Sequence, residues 1–139
     1  MAPADFRARI ARLQAAMRRS GLQAVVLEPG PAMQALTGVR WGRSERTFAV
    51  VLTQEGDPVY VLPAFEEMRA RELITVGKDI LLWQEDESPY ERIAQAMKER
   101  GVTAGRVGVE ETVRFFVFDG VRKAAPAMEY VSAQPVMSN

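Results

Sequence analysis

Residues 24–27 read Ala-Val-Val-Leu, an apolar run with no polar residue between its members. A strand with one wet face alternates apolar and polar side chains. An unbroken run of this length reads instead as a strand buried on both faces. Such a strand needs packed elements above and below it, and the flanking sequence supplies them. Phe6, Ile10, Leu13 and Met17 recur at helical spacing among Arg7, Arg9, Arg12, Arg18 and Arg19. Gly21 offers a left-handed cap for that helix, and Arg18 and Arg19 suit the negative end of its dipole. Pro29-Gly30 ends the strand. Pro31 can open a short second helix and Gly38 can close it.

Thr47 to Leu52 and Val59 to Leu62 are β-branched and apolar, and Gln54-Glu55-Gly56-Asp57 lies between them. The pattern predicts a β-hairpin with Gly56 at positive φ, and Pro58 at a strand start or an edge. Phe65, Met68, Glu72 and Leu73 then predict a helix, and Asp79 to Trp83 another strand. In Ser88-Pro89-Tyr90-Glu91, Ser88 caps a helix, Pro89 takes its first position and Glu91 can reach back as a capping box. Ile93, Ala94 and Met97 give that helix its apolar face, and Gly101 ends it. Arg106 to Val109 is a short strand. Residues 113–123 read two ways: Phe115-Phe116-Val117-Phe118 has strand composition and Asp119-Gly120 is a turn signal, yet Phe118, Val121 and Arg122 also fit a helix face. Met128 to Val131 can close the sheet. Alternating helices and strands with one hairpin predict a mixed sheet covered on both faces.

A chain of 139 residues is one domain of common size. Its 18 basic and 18 acidic side chains cancel, so no global field attracts nucleic acid or anionic lipid. No apolar run approaches the roughly 20 residues of a membrane helix, and the N-terminus lacks the pattern of a secretory signal. Without cysteine there are no disulfides, which sets the expectation of a cytoplasmic protein.

The chain has no histidine either. Ser44 lacks a histidine base, and Gly105-Arg106-Val107-Gly108 lacks the lysine of a phosphate loop and precedes a strand. The acidic pairs Glu66-Glu67, Asp86-Glu87 and Glu110-Glu111 read as solvated charge rather than one site. The segment Val39 to Arg46 stands apart. Arg40, Arg43 and Arg46 carry planar forks suited to carboxylates, and Trp41 offers a flat face for a ring or a cation. The alternative is structural: Arg46 pairs with an acid such as Glu45 or Glu66, and Trp41 packs. Phe115, Phe116 and Phe118 likewise divide between a dimer surface and the expectation that most of them are core.

Leu36-Thr37-Gly38, the strand after Arg46, Gly56-Asp57-Pro58-Val59-Tyr60-Val61-Leu62-Pro63 and Glu66 resemble the N-terminal domain of the creatinase/prolidase/aminopeptidase P family over nearly the whole chain. The chain departs from the family pattern at Gln34-Ala35, where an aromatic pair is common. The resemblance implies a three-layer α/β/α sandwich with a mixed central sheet including a β-hairpin, of the ribonuclease H-like kind. It favours helix over strand at 113–123. It implies that residues 1–139 are a non-catalytic N-terminal domain of a metal-dependent Xaa-Pro peptidase, excised from a longer protein just after the last strand, at Ser138-Asn139. The family's two Asp, one His and two Glu ligands lie in its C-terminal catalytic domain, so this fragment alone is expected to hold no metal and to be inactive. Two divalent ions, Mn, Co or Zn, belong to the parent enzyme. The implied partners are that catalytic domain, a second copy in a homodimer and the peptide substrate. Because a neighbouring subunit's N-terminal domain can reach over the active site, the substrate-binding positions would be Trp41 and Arg43, then Arg40 and Arg46. Two rivals share the domain: a creatinase-like amidinohydrolase and a free-standing protein-interaction module.

Overall fold

The computed structural model describes residues 2–137. Helix α1 (Pro3–Ser20) leads to strand β1 (Leu22–Leu27) and helix α2 (Pro31–Thr37). The hairpin β2 (Ala49–Thr53) and β3 (Val59–Pro63) follows, then a 3-10 turn (Ala64–Glu66) running into α3 (Glu67–Leu73). The chain continues through β4 (Asp79–Trp83), α4 (Pro89–Glu99), β5 (Gly105–Val109), α5 (Phe115–Ala124), β6 (Met128–Ser132) and α6 (Gln134–Met137). The six strands form one sheet in the order β4-β3-β2-β1-β5-β6. Strand β2 runs antiparallel to both neighbours, and the other pairings are parallel.

Side-chain alternation across β1 and β2 builds a core on each face. Val25, Leu27, Val50 and Leu52 pack beneath Ile10, Leu13 and Met17 of α1 and Met33 of α2. Ala24, Val26, Ala49 and Val51 pack on Ile93 and Met97 of α4 and Val117 and Val121 of α5. The result is the expected three-layer sandwich, with α1, α2, α3 and α6 on one face and α4 and α5 on the other. Each fully buried aliphatic side chain contributes about 1.5–3 kcal/mol, so the two cores carry most of the stability.

The predicted caps form. Gly21, Gly38 and Gly101 take φ of 71°, 78° and 82° after their helices. Ser88 Oγ accepts the Glu91 amide at 3.2 Å, while among the described residues Glu91 returns no bond to complete a box. Strand β2 starts at Ala49, later than the predicted Thr47, although Thr47 and Phe48 are buried.

Residues 115–124 are helix, and Asp119-Gly120 makes no turn. Gly120 instead lets α4 approach: an added Cβ would lie 2.5 Å from the Tyr90 ring. Most of the phenylalanines are not core. Phe115 and Phe116 are 71% and 44% exposed, and Val117 and Val121 point inward. The helical period sets this, since only one stripe of α5 can face the sheet. On the 3-10 turn and α3 the apolar residues of the predicted helix also face outward: Phe65 is 62% and Met68 80% exposed, and Ala70 is the buried contact. Helix α6, docked on α1, follows the last strand without a signal having predicted it. Ser138 and Asn139, where the sequence suggests a linker, lie outside the described residues.

Candidate functional site

One end of the sheet gathers the C-termini of β1, β3, β4, β5 and β6 and the approach to β2. In parallel α/β sheets that end is where ligands bind. The segment from Gly38 to Phe48 crosses it, and its entry is set by Leu36-Thr37-Gly38. Leu36 joins the core. The Thr37 hydroxyl donates to the Met33 carbonyl at 2.7 Å and accepts the Val39 amide at 3.2 Å. Gly38 turns left-handed and passes so close to Phe6 that an added Cβ would meet the ring at 2.7 Å.

Past that turn, Val39 is buried and Arg40 is exposed. Among the described residues Arg40 forms no ion pair or hydrogen bond. Trp41 is half-buried. Its ring lies 4.7 Å from that of Phe48, and the Arg69 guanidinium covers it at 4.3 Å. Arg40 and Trp41 border an open cleft of about 440 Å³, with Gly30, Pro31 and Gln34 on its far wall.

Arg43 points back into the domain. Its Nε donates to the Pro29 carbonyl at 2.7 Å, Nη1 to the Thr112 carbonyl at 2.6 Å and Nη2 to Thr112 Oγ1 at 2.9 Å. Arg46 pairs with Glu85 and lies 4.9 Å from the centre of the Phe65 ring, so neither Glu45 nor Glu66 is its partner. Trp83 explains why Glu85 is near, because its indole donates to the Thr47 carbonyl at 2.9 Å and ties the end of β4 to the loop. Ser44 Oγ accepts the Arg46 amide at 3.0 Å, a local turn rather than an activated hydroxyl.

The sequence reading missed the anchor beneath this loop. Glu28, the residue after β1, is 2% exposed. Its carboxylate accepts the Arg114 amide at 2.9 Å, Nη2 at 2.7 Å and Nε at 3.1 Å, and Arg43 Nη1 lies 3.9 Å away. This bonding raises the pKa of Arg114 above its ordinary value, the hydrogen bond to Glu28 being the main cause. Glu110 is also buried, at 7%, rather than solvated. It accepts the Thr112 amide at 2.8 Å and the Thr112 hydroxyl at 2.5 Å. Thr112 Oγ1 thus donates to Glu110 and accepts from Arg43. Two carboxylates and two guanidiniums form one neutral network joining β1, the loop, β5 and α5. One signal could have found Glu28: a lone carboxylate directly after a fully apolar run needs a partner, since an unpaired buried charge is costly.

Among the described residues no three acidic side chains gather as a metal cage, and no helix is long and apolar enough to cross a membrane. The structure brings together Arg40 and Trp41 on the cleft, and turns Arg43 and Arg46 inward or along the surface.

Comparison with known proteins gives a consistent set. An uncharacterised peptidase of Schizosaccharomyces pombe is 32% identical over 86% of this chain and 29% of its own length. A dipeptidase, PepE, from Mycobacterium ulcerans superposes with a TM-score of 0.85 at 26% identity, over 99% of this chain and 37% of that one. A prolidase from Thermococcus sibiricus gives 0.83 at 26% identity, over 96% and 36%. The chain therefore spans about a third of the length of these relatives. The isolated creatinase/prolidase N-terminal domain of an X-Pro dipeptidase from Streptococcus pyogenes shares the fold over 97% of its length, with a TM-score of 0.78 at 19% identity. With residues 9–139 matching the family described as the creatinase/prolidase N-terminal domain, the chain belongs to that family.

Proposed function

We propose that this chain is the non-catalytic N-terminal domain of a metal-dependent Xaa-Pro peptidase of the prolidase/aminopeptidase P type. It forms a homodimer with a second copy of the parent protein and lends one wall to the partner's substrate pocket. The carrying observation is an anchored loop at the end of the sheet where the strand C-termini gather, with Arg40, unpaired among the described residues, and the half-buried indole of Trp41 beside an open cleft. The relative at 32% identity is an uncharacterised peptidase, and those at 26% are a dipeptidase and a prolidase, which favours peptide over guanidino substrates. A free arginine fits the C-terminal carboxylate of a short peptide, and the indole fits a prolyl ring. Arg43 and Arg46 belong to the same wall and hold its shape.

The two divalent metals belong to the parent's catalytic domain, because this chain's residues do not fit them. It has no histidine, and its buried carboxylates, Glu28 and Glu110, are committed to Arg114 and Thr112. The activity of the whole protein and its cytoplasmic setting belong to the same proposal. In the full-length parent, Arg40→Ala and Trp41→Ala raise KM for a dipeptide ending in proline and leave metal content unchanged. The 139-residue chain alone hydrolyses nothing. Unchanged KM in both variants, or metal-dependent hydrolysis by the isolated chain, refutes the reading.

A further inference from the structure

We infer that Glu28 and Thr112 are positioning residues for the substrate wall, acting through Arg43. The inference rests on the proposed function and adds residues that no motif marks. Among the described residues, Arg43 is the one side chain of residues 39–43 that hydrogen-bonds to the segments following β1 and β5. Its three hydrogen bonds all go to two short segments, and Glu28 of the first lies 3.9 Å from its Nη1. Pro29 follows Glu28 directly, and Thr112 supplies both its carbonyl and its hydroxyl.

Each segment is itself fixed. Glu28 is clamped by the amide and guanidinium of Arg114 at the start of α5. Thr112 is clamped through its amide and hydroxyl by buried Glu110. Arg43 passes 3.7 Å from where a Cβ on Gly30 would stand, so the guanidinium lies across the Pro29-Gly30 backbone that also walls the cleft. The far side of the cleft and its loop side therefore share one tether. Loss of that tether frees the loop to move relative to Gly30 and Gln34 while leaving Arg40 and Trp41 chemically intact. The fingerprint is a change in KM with the chemical step untouched, since the reacting groups lie elsewhere.

Thr112 gives the cleaner test because it is exposed and its isostere removes a hydroxyl without opening a cavity. In the full-length parent, Thr112→Val raises KM for a proline-terminated dipeptide roughly tenfold, the scale expected when a binding group is misplaced by a fraction of an ångström. The kcat and metal content stay near those of the parent, while the melting temperature falls by a few degrees because buried Glu110 loses a charge-assisted hydrogen bond. Thr112→Ser, which keeps the hydroxyl, restores KM. Glu28→Gln, close to isosteric, moves KM in the same direction.

If Thr112→Val and Glu28→Gln leave KM unchanged while Arg40→Ala raises it, the positioning role is overturned and the substrate wall stands. If Arg40→Ala and Trp41→Ala also leave KM unchanged, the wall itself is wrong and the inference falls with it. A fall in melting temperature with unchanged KM in the folded fraction would show a purely structural network and also overturn it.

Discussion

Gly38 carries two separate constraints, and Gly38→Ala tests both. Its φ of 78° lies in the left-handed region, where a Cβ costs about 1–2 kcal/mol. Alanine also restricts the unfolded chain, which returns about 0.4–1 kcal/mol. The new methyl would stand 2.7 Å and 2.8 Å from Cε2 and Cζ of Phe6, so the ring must leave. Phe6 is half-buried in the first turn of α1 and can swing outward. Its lost contact is then about half of a full aromatic burial, roughly 1 kcal/mol. The sum is a destabilisation of about 2 kcal/mol, a fall in melting temperature of roughly 5–10 °C for a chain of this size. Urea and thermal melts of the parent, of Gly38→Ala, of Phe6→Ala and of the double variant separate the parts. In the Phe6→Ala background the penalty should shrink to the backbone part, under about 1 kcal/mol. An equal penalty in both backgrounds would remove the ring contact from the explanation, and a melting point within about 1 °C of the parent would refute the whole estimate.

Arg114→Met leaves the Glu28 carboxylate with the residue-114 backbone amide and the more distant Arg43 as its remaining partners, and destabilises the domain by about 3–5 kcal/mol in urea titration. The Glu28→Met, Arg114→Met pair recovers much of that loss, since an apolar pair can replace a buried ion pair. Gly120→Ala gains about 1 kcal/mol of helix propensity. It also forces a methyl to 2.5 Å from the Tyr90 ring. Overpacking of 1–3 kcal/mol outweighs the gain, so thermal melts should show net loss. Burial pushes the Tyr130 hydroxyl up from 10.0 to about 12, and it donates to the Ala125 carbonyl at 2.6 Å. The folded state favours the neutral phenol, so its stabilising effect is complete below pH 10 and is lost as pH rises through about 12. Denaturation followed across that window should lose part of its alkaline slope in Tyr130→Phe, and an unchanged slope would contradict the assignment.

The parts of this fold that could be read from sequence are those decided within a few residues. A fully apolar run sets β1, glycine after an apolar helix face sets three C-caps, and Ser88-Pro89 sets the start of α4. Residues 115–124 needed more. Aromatic bulk suggested that the phenylalanines would be core, but the helix period gives the sheet only the Val117 and Val121 stripe. Arg114 then lies over the Phe116 ring at 4.6 Å. Which side chains face the sheet depends on where the helix begins, and Glu28 sets that start by binding the Arg114 amide from 86 positions away.

The same distance hid the chemistry of the loop. Three arginines in seven residues promise a strongly cationic surface, and among the described residues only Arg40 of the three keeps its charge unshared. Arg43 finds its acceptors 14 and 69 positions away. Arg46 finds Glu85 because β4 pairs in parallel with β3 and Trp83 ties its end to Thr47. Local acids such as Glu45 were the natural candidates in sequence, but the strand register brought a different carboxylate closer. The charge written in a loop is thus an upper bound on the charge it can offer a ligand. The sheet end on which it sits decides how much remains. On the proposed function the remainder, one guanidinium beside one indole, suits a small substrate carrying both a carboxylate and a ring far better than a polyanion.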